Sequence, residues 1–306
     1  MIPLHYAPEV LAALEAEQPV VALESTIITH GLPAPQNREA ALALEKAVRA
    51  GGATPATIAV LDGQIHIGLS AAELDRLVAV QNPQKLSRAD LAVALSQGLD
   101  GATTVAATLI CARLAGISVF ATGGIGGVHR GAESSFDISA DLLQLAESPV
   151  SVVSAGAKAI LDLPKTLEVL ESYGVPVIAV GQDQFPAFWS RESGLTAPLR
   201  LDSAREIAAA HLMRANLRLP GGQLIANPIP EAEELPRAQI APIIERALKL
   251  ADQQQISGKA LTPFVLQQIY QLTKGRSLRV NLALALNNAR LGAEIAIEIC
   301  KQGRLS

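Results

Sequence analysis

The chain has 306 residues, 25 Lys and Arg against 29 Asp and Glu for a formal charge of -4, and 49% hydrophobic residues. With a sequence pI near 5.8 and no dense Lys/Arg tract, this balance excludes a surface built to grip a phosphate backbone, so nucleic acid is not an expected partner. The length is close to the most that one core usually serves, and a single domain over residues 1–306 is expected.

The opening MIPLHYAPEVLAALEAEQPV carries Glu9, Glu15 and Glu17 and no basic leader, so it predicts an ordinary helix rather than a secretory signal. From Pro19 onward, short β-like runs (VVAL at 20–23, TIAVL at 57–61, ISVFA at 117–121, VSVVSA at 150–155, VPVIAV at 175–180) alternate with helical patterns. Helices are predicted at 37–51, 87–97, 103–115, 157–172, 202–216, 237–254, 262–273 and 278–300, several ending at glycine. The alternation predicts an α/β/α layered fold around a central, largely parallel sheet. Asp62-Gly63 between TIAVL and QIHIG marks a hairpin, which makes the sheet mixed. NPIPEAEELP at 227–236 reads as a connector. The apolar stretch from Ala106 to Ala121 is broken by Arg113 and Gly116, well short of the roughly 20 residues a membrane span needs. A cytoplasmic protein without membrane partners is expected. Cys111 and Cys300 stand far apart in apolar helical contexts, as reduced packing thiols do.

Three polar segments sit where β-like runs end, which is where open α/β sheets bind ligands. Glu24 follows VVAL and is either a proton donor or a solvated loop acid. ATGGIGGVHRGAESSFDISADL at 121–142 packs five glycines into eleven residues, leaving backbone amides able to approach an anion. It is not a dinucleotide fingerprint: GxGxxG from Gly124 requires glycine at the position of His129. Asp137 and Asp141 lie four apart, so a helix starting near Ile138 would put both on one face, with Ser139 at its N-terminus. That arrangement suits a hard divalent cation, unless Asp137 only caps the helix. Finally, VSVVSA leads through Gly156 to Lys158, in the first turn of the helix predicted at 157–172. A helix N-terminus carries roughly half a positive charge and opposes protonation of a nearby ammonium, and a neutral amine is a nucleophile. The alternative is a phosphate-binding or solvated lysine, although Lys85 and Thr103-Thr104 look more like sugar-phosphate anchors.

Taken together, ALESTIITHGLPAPQN, KLSRADL, GATTVAATL, the glycine-rich segment and VVSAGAKAILDLPKTLE resemble the pseudouridine-5′-phosphate glycosidases, a family that includes the indigoidine-synthase-A-like proteins. The resemblance continues through FPAFWSRESG at 185–194, ANPIPEAEE at 226–234 and GRSLRVNLALALNNARLGAEIA at 275–296. It implies an α/β/α fold, a homotrimer, and reversible cleavage of pseudouridine 5′-phosphate to uracil and ribose 5-phosphate with a divalent cation, usually Mn²⁺. It makes Lys158 the imine-forming nucleophile, Glu24 the proton donor and Asp137 the metal ligand. Lys85, Val105, Ile138, Ser139 and Asp141 would contact the substrate, with Thr104, Thr122, His129 and Asn281 in support. Two other readings stay open: an enzyme of the same site acting on another ribosyl phosphate or in pigment synthesis, and a non-catalytic sugar-phosphate sensor.

Overall fold

A computed structural model describes residues 4–31, 34–80, 83–256 and 258–304. Both chain ends and Leu32-Pro33 of the first motif lie outside the described residues. The strands are β1 (Leu4–Tyr6), β2 (Val20–Leu23), β3 (Thr54–Leu61), β4 (Gln64–Ile67), β5 (Gln84–Leu86), β6 (Gly101–Thr103), β7 (Val119–Ala121), β8 (Ser151–Ser154), β9 (Val177–Val180), β10 (Leu199–Leu201) and β11 (Gln223–Ala226). They form one sheet in the order β1-β4-β3-β2-β7-β8-β11-β9-β10, with β6 on β3 and β5 on β6. Among the described pairs only β3–β4 and β3–β6 run antiparallel. The hairpin falls at Asp62-Gly63, where both residues have positive φ, 51° and 67°, as a tight hairpin turn requires.

Alternate residues of a strand face opposite sides of the sheet. β2, β8 and β11 are buried at every position, so helices cover both faces and the fold is the expected α/β/α arrangement. The longest helix, Arg276–Gly303, packs against β2, β7 and β8 as well as against neighbouring helices, and buries Val280, Leu284, Ala285, Ala289, Gly292, Ala293 and Ala296. These positions recur three or four apart and form one stripe. Their small side chains let the helix lie close: a Cβ at Gly292 would stand 3.3 Å from that of Ala121. Cys111 and Cys300 are both free. Burial pushes the Cys111 thiol up to about 12, as suits a packing residue.

Two predicted helices differ. The N-terminal segment begins as β1, paired parallel to β4 with His5 opposite His66, and only Pro8–Glu15 is helical. Pro8 lacks an N–H, so it starts a helix readily but does not let one run through it. The helix predicted at 157–172 begins at Leu163. Asp162 is its N-cap, accepting from the Lys165 N–H at 3.1 Å, and Pro164 stands in its first turn.

Candidate active site

Three adjacent parallel strands, β2, β7 and β8, deliver the polar groups from their carboxyl ends. Glu24 follows β2, Thr122 follows β7, and the turn carrying Lys158 follows β8. Gly156 makes that turn possible, with φ of 83° and room for no Cβ, since one would lie 2.5 Å from the Pro186 carbonyl oxygen. The Lys158 N–H then bonds the Ile125 carbonyl at 3.1 Å, tying the lysine turn to the glycine-rich loop. Lys158 therefore lies in a turn ahead of the helix, not in its first turn, and the helix-terminus argument for a neutral amine does not apply to it.

A cavity of about 410 Å³ opens over these strand ends, walled by Glu24, Lys158, Lys85, His129, Asp137 and Asn281. Thr104, Val105, Ile138, Ser139 and Asp141 also line it. Of the residues expected at the site only Thr122 is off the wall. It is buried behind Glu24 and donates its hydroxyl hydrogen to Glu24 Oε1, while Thr26 donates to Oε2. The Glu24 carboxylate is thus buried and held from both oxygens.

Asp141 also serves as a strut. It is only 6% exposed, and its carboxylate accepts from the Ala106 N–H at 2.9 Å and the Gly126 N–H at 2.8 Å. That joins the start of the helix Val105–Leu114 to the glycine-rich loop. The adjoining helix begins at Ala140, capped by Ser139, whose hydroxyl accepts from the Asp141 N–H at 3.2 Å. Asp137 precedes that cap, so it neither caps the helix nor shares a helical face with Asp141. Its carboxylate instead lies on the cavity wall and takes no hydrogen bond from the described residues. The only group of three close metal-ligand side chains among them lies elsewhere, at His5, His66 and Glu73.

One part of the wall suits an anion. Burial lowers the pKa of His129, and the positive charges of Lys158 and Lys85 lower it further, against an opposing effect of Asp137. Burial and Lys85 likewise lower that of His30 on the same wall. Both imidazoles are therefore neutral at pH 7, while two lysines and the starts of two helices, at Val105 and Ala140, face the cavity. Helix N-termini with a nearby cation form a phosphate site.

Sequence reasoning missed several contributors. Thr26 lay inside the Glu24 motif, and its hydroxyl two residues on was the available signal. Phe188 lines the cavity and meets the ring of Trp189 edge to face, centroids 5.1 Å apart. Trp189 is buried and donates its indole N–H to Asn281 Oδ1. Asn288, wholly buried, donates to the Thr122 carbonyl at 2.7 Å and accepts from Asn227 at 3.0 Å. Nothing in the spacing distinguished Asn288 from its neighbour Asn287.

The family model of indigoidine synthase A like proteins matches residues 9–298. The chain is 64% identical over 295 residues to a pseudouridine-5′-phosphate glycosidase of Jannaschia sp. (strain CCS1), covering 96% of this chain and 98% of the relative. It is 65% identical over 292 residues to one of Paracoccus denitrificans (strain Pd 1222), covering 95% and 96%. Among solved structures, the prealnumycin C-glycosynthase in complex with ribulose 5-phosphate superposes with a TM-score of 0.92 at 37% identity over 99% of each chain. An indigoidine synthase A-like protein from Thermotoga maritima does so with 0.88 at 32%, covering 98% of this chain and 97% of that one. The chain belongs to the indigoidine synthase A-like family.

Proposed function

We propose that the chain is a pseudouridine-5′-phosphate glycosidase, cleaving reversibly the bond between ribose C1′ and carbon 5 of uracil, with residues 1–306 acting as one catalytic unit. The observation that carries this reading is the convergence of Lys158, Glu24 and Lys85 on one cavity, in a chain about two-thirds identical to glycosidases of that name over nearly its whole length. The uracil atom bonded to ribose is a carbon, with no lone pair for a carboxylic acid to protonate, so the two-carboxylate scheme of ordinary glycosidases suits it poorly. An amine offers another route. Lys158 Nζ bonds C1′ as the ring C1′–O4′ bond breaks and O4′ takes up a proton; when an acid then protonates the uracil carbon, the bond from that carbon to C1′ breaks and the nitrogen lone pair closes the imine at C1′. Glu24, held by Thr26 and Thr122, is that acid, and water then hydrolyses the imine to release ribose 5-phosphate. Lys85, Ser139 and the two helix starts receive the phosphate.

The donor set at Asp137 fits a divalent cation such as Mn²⁺. The oxygens of Asp141 and Glu24 are already bonded, whereas Asp137 offers a carboxylate on the wall, and one carboxylate with waters is a set Mg²⁺ or Mn²⁺ accepts. When bound, the cation would supply positive charge that organises water beside the substrate. The reading extends to a cytoplasmic protein and, as the family resemblance implies, a homotrimer; 49% hydrophobic with 18% charged residues suits a chain that hides apolar surface between subunits.

The test is borohydride reduction of the protein mixed with ribose 5-phosphate and Mn²⁺, followed by peptide mapping, beside an assay of uracil release. A reduced adduct on Lys158, with no turnover in Lys158→Ala, is expected. Uracil release without an adduct would discard the covalent lysine. The likeness to a C-glycosynthase favours one second reading, a related reaction on another ribosyl phosphate, which efficient turnover of a different aglycone and none of pseudouridine 5′-phosphate would establish.

A further inference from the structure

His5, His66 and Glu73 are far apart in sequence and come together at one margin of the sheet. β1 and β4 pair in parallel with His5 directly opposite His66, so their side chains emerge on the same side. The rings are 4.6 Å apart and tilted by 43°. Glu73 enters from the helix Ala71–Ala79, with Oε1 at 2.9 Å from His66 Nδ1 and 3.9 Å from His5 Nε2. His66 is largely buried, and its Nδ1 faces the Glu73 carboxylate at ordinary hydrogen-bond distance, a place a proton or a metal ion can take.

The geometry points to a second metal site, in which His5, His66 and Glu73 bind a divalent transition metal, best suited to Zn²⁺, apart from the Lys158 cavity. One ligand atom from each residue lies within 4.8 Å of the others. Bonds of about 2.0–2.1 Å in a tetrahedral Zn²⁺ site place ligand atoms roughly 3.3 Å apart, so small side-chain rotations suffice. Two imidazoles and a carboxylate are the nitrogen-rich set that Zn²⁺ accepts and that Mg²⁺ and Ca²⁺ do not favour. An outer partner is also in place: Glu73 Oε2 accepts the Ser70 N–H at 2.7 Å, which aims Oε1 at the histidines. None of the three residues lines the catalytic cavity. The ion would fasten the short N-terminal strand to β4 and to the helix Ala71–Ala79, a structural clip with the fourth position open to water.

The test uses full-length protein freed of any affinity tag and stripped by chelator, titrated with Co²⁺ for its visible absorption and with Zn²⁺ in competition with a chromophoric chelator. One tetrahedral equivalent per chain is expected, read from the Co²⁺ bands and so distinct from oxygen-coordinated metal at Asp137, with a rise in melting temperature on adding Zn²⁺. His5→Ala and Glu73→Gln should each weaken binding by more than the roughly 10–100-fold that loss of an outer-shell partner costs, and abolish the bands. His5 has a half-exposed side chain, so its removal leaves the core closed, and circular dichroism checks the fold. Asp137→Asn should leave both signals intact. Bands lost in Asp137→Asn but kept in His5→Ala, or no stoichiometric binding to the wild-type chain, would overturn the site.

Discussion

Glu24 and Asn288 never touch, yet one residue links them. Thr122 gives its hydroxyl hydrogen to Glu24 and its carbonyl to Asn288, so the long C-terminal helix reaches the proposed acid through a single intermediary. Asn288→Ala would leave the buried Thr122 carbonyl and Asn227 amide without these partners. A loss of about 1–3 kcal/mol in unfolding free energy is expected, read by urea denaturation, with a lower kcat as Thr122 loosens. Thr122→Val removes the hydroxyl at nearly constant volume and should lower kcat by roughly tenfold or more while leaving KM within a factor of a few, since a general acid typically contributes 10²–10⁴-fold. An unchanged kcat in Thr122→Val would show that Glu24 needs no such support.

The glycine-rich loop and the helix Ala140–Glu147 depend on contact at Gly126. A Cβ there would stand 2.2 Å from the Ser139 hydroxyl oxygen and 2.8 Å from Asp141 Oδ2, where real side chains do not fit. Gly126→Ala should therefore displace both residues, destabilise by about 1–3 kcal/mol as overpacking does, and raise KM for the phosphorylated substrate. Thermal melting and steady-state kinetics check the two effects separately. What could be read from sequence follows the same physics. Fully buried parallel strands are apolar runs, so β2 and β8 were legible, and so was the Asp-Gly hairpin. β1, β5, β6 and β10 are as short as β7 but lack its apolar run ISVFA, so neither length nor composition marks them and they depend on the neighbour that pairs with each. The motif residues were legible at the cavity. The position of Lys158 was not, because SAGAKAILDLP has helical composition and only the Asp162 cap with Pro164 marks where the helix begins.

At the scale of the molecule, pH acts through buried imidazoles. Four of the five histidines (His30, His66, His129 and His211) have pKa values lowered first by burial. His211 also feels Arg214 and lies 3.0 Å from the Ser151 hydroxyl through Nδ1. The unfolded chain takes up protons near the ordinary histidine value of about 6.5, while the folded chain resists until lower pH. Stability is therefore complete above about pH 6.5 and is lost as pH falls toward the folded values. Denaturant midpoints between pH 8 and pH 5 should show this fall, and His211→Asn should make it shallower. Light scattering on the purified protein should return three times the chain mass; a monomer would remove the homotrimer from the proposed function.

The chain has a single tryptophan, and its indole N–H bonds a residue of the cavity wall while its ring touches another. Selective excitation of that indole would make intrinsic fluorescence a direct, label-free optical reporter of cavity occupancy. Ribose 5-phosphate should shift the emission in a saturable way. The same shift should persist in Lys158→Ala if noncovalent binding suffices, which would separate binding from covalent capture without any assay of turnover.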